Sequence, residues 1–329
     1  MCIIADSVRE VDTTKIASFH VAYSINGSTD LIPAQFVAYA AKVDSLANSN
    51  AFILPVYNPG NDYRTIIPLD LSKLPDFFDS VSNVFESWFP EPKQYFSTNS
   101  YSTRSASTPL PVFQVGDFKF SIMPSSQDFN RLDRTKLNVN PIAKAAIDAH
   151  SQDYSFIVYQ FFQRGMIDIT PFGYICRSKD DLTMVVPTIH GHPHNSVPTT
   201  GLGYTGRDAH ERGTSLNGYI PNLHVTYGSD FEDTADYDHV IYTLNKVPPI
   251  QSTVQTADVK ALDRILKGIT KDYMNRGIRI YVPRGFKPNR IKITGSAPNR
   301  NIYVTPEGYR FAEDLSSLPE PVSAYMWNA

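Results

Sequence analysis

The chain has 329 residues, of which 42% are hydrophobic and 19% are charged. These values exclude a disordered protein and predict a full core in one large domain or two medium ones. The net charge of −3 does not indicate nucleic-acid or membrane-surface binding by the whole chain, and two cysteines are too few for a disulfide scaffold. We see neither a secretory signal nor an apolar run long enough to span a membrane, and we expect a reducing, cytoplasmic setting.

The first sixty residues predict β-strands. Apolar or alternating runs occupy 15–23, 33–41 and 50–57. Turn-forming residues at 26–30 and 58–62 separate and bound these runs. The short connections favour antiparallel pairing.

The next segment predicts an amphipathic helix over 73–89. Its apolar residues recur every three or four positions, which makes one broad stripe: Leu74, Phe77, Phe78, Val81, Val84, Phe85 and Trp88. Ser72 is the expected N-cap, Pro75 fits the first turn, and Pro90 ends the helix.

The middle of the chain returns to strands after a polar loop. Residues 97–108 include eight Ser or Thr in twelve and mark a boundary. A short helix is predicted over 140–150, with Asn140 as its cap and Pro141 in its first position. Strands are predicted over 110–124, 153–162, 167–175 and 182–190.

The remaining segments complete an α+β prediction, mainly antiparallel sheet covered by two principal amphipathic helices. Residues 191–235 hold seven of the seventeen glycines and predict a long excursion from the core. A second strong helix is predicted over 257–275, and strands over 236–244, 278–283 and 289–294. We divide the chain into an α+β core, 1–245, and a basic helix-plus-strands segment, 246–329, packed on the same domain.

Cys2 is the first candidate catalytic residue. Removal of Met1 would give Cys2 a free α-amine, and that amine could activate the thiol as in N-terminal-nucleophile hydrolases. The following Ile3 and Ile4 suit a buried strand. The alternative is a structural thiol at the start of that strand.

The sequence PTIHGHPHN contains the candidate metal ligands His190, His192 and His194. In an extended chain, residues two apart lie on one face, and imidazole is a common ligand for zinc and similar divalent metals. Further ligands are available on the predicted strand at 236–244: Asp236, Asp238 and His239. We therefore predict a zinc-type site at His190, His192 and His239. The alternative is that these are ordinary loop or cross-strand histidines.

The segment 260–300 is strongly basic. It contains eleven Lys or Arg and two Asp, a local charge of +9. Basic residues interleaved with aromatics suit an acidic partner, and nucleic acid is not excluded. The alternative is contact with the acidic segment 232–238 of this chain. The candidate residues for an acidic partner are Arg276, Arg279, Arg284, Lys287, Arg290 and Lys292.

Several segments together resemble one protein family. They are 1–4, 50–56, 71–81, 110–133, 153–161, 187–193 and 235–242. In this order they are similar to an uncharacterised family of large (nucleocytoplasmic) DNA viruses with relatives in bacteria and protists. The resemblance implies no activity and no catalytic residue, but it makes a virion role natural if the source is a virus.

Three functional hypotheses follow from these residues. The first is a structural or interaction protein within a larger assembly, with a minor capsid or internal virion component as one form. Low charge, abundant Pro and aromatics, the glycine-rich excursion and the basic segment favour it. The alternatives are a cysteine hydrolase that uses Cys2 and a metal-dependent protein that uses the histidines at 190–194.

Overall fold

A computed structural model gives the architecture of the chain. The residues that the structure describes are 3–26, 28–88, 113–115, 118–133, 136–178, 180, 182–191, 214–215, 218–219, 234–246, 260–268, 278–281, 285–306 and 308–312.

The described part of the chain is built mainly from β-strands. In chain order they are β1 Ile3–Ile4, β2 Val8–Ile25, β3 Ile32–Ser45, β4 Asn50–Tyr57, β5 Ile67–Asp70, β6 Phe113–Val115, β7 Phe118–Met123, β8 Tyr154–Phe161, β9 Gly165–Asp168, β10 Phe172–Arg177, β11 Met184–Val186, β12 Thr214–Ser215, β13 Gly218–Tyr219, β14 Thr234–Lys246, β15 Ile278–Tyr281, β16 Phe286–Pro298, β17 Ile302–Thr305 and β18 Gly308–Phe311. The helices are α1 Phe77–Trp88, α2 Pro141–Asp148 and α3 260–268, with short 3₁₀ turns at Tyr63–Thr65 and Ser126–Arg131.

An eight-stranded sheet forms the larger layer. Its order is β16-β14-β2-β3-β10-β5, with β15 also paired to β2 and β9 also paired to β3. The pairings are antiparallel except that of β14 with β2, which is parallel. At Gly173 on β10, an added Cβ would lie 2.5 Å from the carbonyl oxygen of Val37 on β3, so this close strand approach requires glycine.

A five-stranded antiparallel sheet packs on one face of the larger sheet. Its order is β1-β4-β8-β7-β6. The core between the two sheets is aromatic: Phe172 of β10 lies 5.3 Å from Phe52 of β4 and 4.4 Å from Tyr159 of β8, measured between ring centres. We call this side of the eight-stranded sheet its sandwich face.

Helices cover the outer faces of both sheets. On the eight-stranded sheet, Phe85 of α1 packs 5.1 Å from Tyr242 and 6.3 Å from Phe19, and the same cluster includes Leu262 and Leu266 of α3. We call this side the helix face. On the five-stranded sheet, α2 is the covering helix. The described layers are therefore helix, sheet, sheet, helix.

The α+β class predicted from the sequence is confirmed, and the helices are few. The apolar stripe of the first predicted helix is buried at Phe77, Phe78, Val81 and Phe85. The helix begins at Phe77, so the expected N-cap Ser72 is wrong. Pro75 disfavours helical geometry at the preceding residue, Leu74, so the helix starts later. The Ser72 amide instead donates to the Asp70 side chain in a turn.

Two predicted strands are each divided in the structure. The run 110–124 contains two strands, because β6 pairs antiparallel with β7. The run 167–175 contains the end of β9 and most of β10, which pair with successive parts of β3. Pro171 has no amide proton, so the ladder is interrupted there.

Five of the described strands were not predicted: β5, β12, β13, β17 and β18. Of these, β17 and β18 form a three-stranded sheet with β11. The Ser/Thr loop 97–108 and most of the glycine-rich segment 191–235 lie outside the described residues. Within the ranges that the structure does describe, no helix is long and apolar enough to cross a membrane.

Candidate functional site

The start of the chain is held in the interior of the molecule. Ile3 and Ile4 are fully buried, and β1 pairs antiparallel with β4. On its other side Ile3 forms a parallel bridge with Gly191, whose carbonyl accepts a 3.1 Å hydrogen bond from the Ile4 amide. Cys2 lies outside the described residues. Its sequence neighbour Ile3 is therefore fixed beside the residue that follows His190.

Two small features make this packing possible. An added Cβ at Gly191 would lie 3.1 Å from side-chain atoms of both Ala146 on α2 and Ile3, so any larger residue would push these neighbours apart by a few tenths of an ångström. Asn140 caps α2 by accepting from the Ala143 amide at 2.9 Å. Its side-chain amide also donates to the carbonyl oxygens of the N-terminal strand region, Ile4 at 3.1 Å and Ala5 at 2.8 Å.

A buried cluster of two imidazoles and a phenol lies next along the chain. Tyr237 and His239 are two residues apart on β14 and so share a sheet face. The ring of His190 lies 4.4 Å from that of Tyr237 and 5.2 Å from that of His239, centre to centre. The exposed fractions are 7% for His190, 3% for Tyr237 and 0% for His239. The structure thus brings together two of the predicted metal ligands.

The backbone around this cluster is fixed by the turn after β16. The Asn299 side chain accepts from the His190 amide at 2.7 Å and donates to the His190 carbonyl at 3.0 Å. The Tyr237 hydroxyl donates to the Pro298 carbonyl at 2.8 Å. Burial raises the pKa of Tyr237, so the phenol stays protonated and serves as a donor.

The metal prediction remains untested. His192 and His194 lie outside the described residues, and the part of the chain that is described contains no group of three His, Cys, Asp or Glu that could hold a metal ion. His190 and His239 offer two imidazoles, whereas a structural zinc site normally takes four ligands. With these residues alone, the donor set is incomplete for zinc.

The predicted acidic-partner residues lie on different strands and faces. Arg290 and Lys292 pair with Tyr242 and Val240, which places them on the helix face. Lys287 lies on the opposite face and donates to the Pro306 carbonyl. Arg279 is on β15, which pairs with β2 further along the edge that β14 occupies, while Arg276 and Arg284 lie outside the described residues. The four described residues do not share one face.

A buried polar cluster on β2 and β3 was missed by the sequence analysis. His20 is 3% exposed, and its Nδ1 accepts from the Lys246 amide at 3.1 Å. Burial, reinforced by the charge of Lys246, lowers the pKa of His20 to about 3. Gln35 donates to Ser18 Oγ at 2.9 Å and to the Val185 carbonyl at 2.6 Å. The sequence did not indicate that these polar residues are buried. In a strand pattern they resemble solvent-facing positions, and their burial arises only because β11 covers them.

An exposed apolar surface at one end of the eight-stranded sheet was also missed. Ile25 ends β2 and is 44% exposed, Leu31 precedes β3 and is 53% exposed, and Tyr281 of β15 is 38% exposed. Ile278, the register partner of Ile25, places β15 beside this end of the β2–β3 hairpin. Arg279 lies between Ile278 and Tyr281 in the chain. We call Ile25, Leu31, Ile278, Arg279 and Tyr281 the hairpin-tip surface.

Comparisons with known proteins give low similarity. The chain matches no protein-family model. The crystal structure of baculovirus P35 is similar at a TM-score of 0.38 and 9% identity, covering 95% of each chain. A mutated baculovirus P35 after caspase cleavage gives a TM-score of 0.39 and 10% identity, covering 89% of this chain and 98% of that one. TM-scores below 0.5 do not show a shared fold.

Proposed function

We propose that this chain is a protein-binding component of a larger assembly and that the hairpin-tip surface contacts the partner. The observation that carries the proposal is the exposure of large apolar side chains at one end of the eight-stranded sheet. Water contact with apolar area is unfavourable, and covering it by a partner stabilises a complex.

The composition of the hairpin-tip surface suits a protein interface. Aromatic residues and arginine are enriched at interface centres, and Tyr281 and Arg279 supply one of each. Leu31 adds aliphatic area at the same end of the sheet, whereas Ile25, the partner of Ile278, lies on the opposite face from Arg279 and Tyr281. Arg279 carries the positive charge that an acidic group of the partner would meet, and it is one of the residues predicted from the sequence to face such a partner.

A double substitution tests this proposal. The partner is recovered by cross-linking the chain in its native source and purifying the product. The double variant Leu31→Glu with Tyr281→Glu places two charges on the hairpin-tip surface and should abolish this recovery. The matched control is Met166→Glu with Tyr309→Glu, because these side chains are also about half exposed, at 52% and 51%, but lie on β9 and β18. If both variants retain the partner, or if the native protein is a monomer without one, the proposal is wrong.

The narrower form of the proposal is a virion component. It rests on the resemblance to a viral family and on the proposal that the chain binds other proteins. It requires the chain to co-purify with virus particles at a constant stoichiometry. Particles from which the chain is washed off at moderate salt would contradict the virion form and leave the partner experiment to decide the broader one.

A specific observation also supports a second candidate, an N-terminal-nucleophile cysteine hydrolase. Ile3 and Ile4 are buried in a strand of a two-sheet sandwich covered by helices, and that strand is anchored beside the buried cluster of His190, Tyr237 and His239. The intact mass of the native protein decides it. Loss of Met1 with a free, thiol-reactive Cys2 would support the hydrolase, whereas a retained or acetylated Met1 removes the required amine.

A further inference from the structure

Among the described residues, a lysine on the outer face of the five-stranded sheet has no anionic partner. Lys119 belongs to β7 and pairs with Gln160 of β8. Its neighbours Phe118 and Phe120 both enter the core between the two sheets. Because side chains alternate along a strand, Lys119 points to the opposite, outer face.

The ammonium group of Lys119 is covered but not neutralised. Its Nζ atom is shielded from solvent and has no hydrogen-bond acceptor among the described residues. It lies 5.2 Å from the centre of the Phe162 ring. Loss of hydration, followed by the positive charge of Lys136, lowers the pKa of Lys119. A covered ammonium with only an aromatic face as partner reduces the stability of the fold.

A polar framework holds the second lysine close by. Gln160 Nε2 donates to Ser49 Oγ at 2.8 Å and to the Lys136 carbonyl at 3.1 Å. Ser49 Oγ in turn donates to the same carbonyl at 2.8 Å. The Lys136 ammonium is 2.8 Å from the Asp133 carboxylate, so this carboxylate neutralises Lys136 and leaves the charge of Lys119 in excess.

We propose that Lys119 is the centre of a binding site for a compact oxyanion, a phosphate or a carboxylate group. An oxyanion would supply the acceptor that Nζ lacks and would neutralise the charge of Lys119. This site is separate from the hairpin-tip surface and does not depend on the proposed function.

Titration calorimetry on the full chain tests the site. Inorganic phosphate and acetate are titrated separately at constant ionic strength into the native protein, Lys119→Met, Lys119→Arg and the control Lys73→Met. Lys73 is an exposed lysine in the turn before α1 and a suitable control. Lys119→Met should weaken anion binding at least about tenfold, as expected for a charge-assisted hydrogen bond. Lys119→Arg should keep the affinity within a few fold, and Lys73→Met should leave it unchanged.

Thermal unfolding provides an independent readout. Without anion, Lys119→Met should melt higher than the native protein, because the uncompensated ammonium is gone. The anion should raise the melting temperature of the native protein but not that of Lys119→Met. Binding of phosphate alone assigns a phosphate group, and binding of acetate as well assigns a carboxylate-compatible site. The proposal is overturned if neither anion binds saturably to the native protein, or if Lys119→Met binds it equally well.

Discussion

Single buried histidines make the stability of this molecule depend on pH. His20 and His150 are 3% and 4% exposed, and burial lowers their pKa values to about 3 and about 4. Each is neutral in the fold because it is desolvated, and His150 also contacts the Ala146 carbonyl through Nδ1 at 2.7 Å. In the unfolded chain both titrate near their ordinary value, about 6.5. The folded state therefore binds fewer protons below that pH.

We expect the free energy of unfolding to fall as the pH drops below about 6.5. The loss continues towards pH 4 for His150 and towards pH 3 for His20, at up to about 1.4 kcal/mol per pH unit for each residue. Urea unfolding at pH 7.5 and 5.5 should differ by about 3 kcal/mol through the two histidines. His150→Gln should remove about half of this difference. An unchanged pH difference in that variant would show that His150 does not cause it.

At the scale of elements, the contact between β1 and α2 depends on one side chain. Asn140 caps α2 and also donates to two carbonyls in the N-terminal strand region. Its own amide donates to the Ala5 carbonyl at 2.7 Å. The helix cap was predictable, because Asn before Pro at the first helical position is a local pattern. The bonds to residues 4 and 5 were not, because they join positions more than 130 apart in the chain.

Replacement of Asn140 separates these two roles. Asn140→Ala should lower the free energy of unfolding by about 2–4 kcal/mol, since it removes the cap and the side-chain donor to the Ile4 carbonyl, while the Ala5 carbonyl keeps the backbone amide of residue 140. Asn140→Ser keeps a capping oxygen and should recover about 1 kcal/mol of that loss. Amide exchange at Ala5, whose N–H donates to Ala51, should become faster in both variants. Equal stability of the Ala and Ser variants would contradict a separate capping role.

At the scale of the whole molecule, the C-terminal segment completes the eight-stranded sheet. β16 pairs with β14 along thirteen residue pairs, and β15 pairs with β2. Ile291 and Ile293 of β16 belong to the same core as Phe52 and Phe172. The basic segment predicted from the sequence therefore supplies strands to the larger sheet.

A chain cut after residue 245 should fail to fold as a soluble monomer. Its β14 would be an unpaired edge with exposed apolar side chains, which favours aggregation. Co-expression of 246–329 as a separate fragment should restore soluble protein in a one-to-one complex. The measurements are solubility, size-exclusion elution and circular dichroism. A soluble, cooperatively unfolding 1–245 fragment would show that the C-terminal strands are dispensable for the fold.

The sequence by itself determined the local elements of this protein. Alternating apolar runs marked β2, β3, β4 and β8, a stripe at three and four positions marked α1, and Asn140–Pro141 marked the start of α2. These signals are local, because strand and helix periods and caps depend on residues close in the chain. The tertiary structure alone decided the strand order, the parallel contact of β14 with β2 and the three-stranded sheet of β11, β17 and β18. Pairing between distant segments depends on which side chains bury together, and that has no local pattern.

The same division holds for the candidate sites. Sequence spacing singled out His190 and His239, and the fold brought them within 5.2 Å, ring centre to ring centre. Spacing gave no signal for His20 or Lys119, because a lone polar residue in an apolar strand resembles the solvent face of any half-buried sheet. Only the packed structure decides which of these side chains lose water, and this desolvation lowers the pKa values of His20 and Lys119. Among the described residues, it also places no acceptor at Lys119 Nζ.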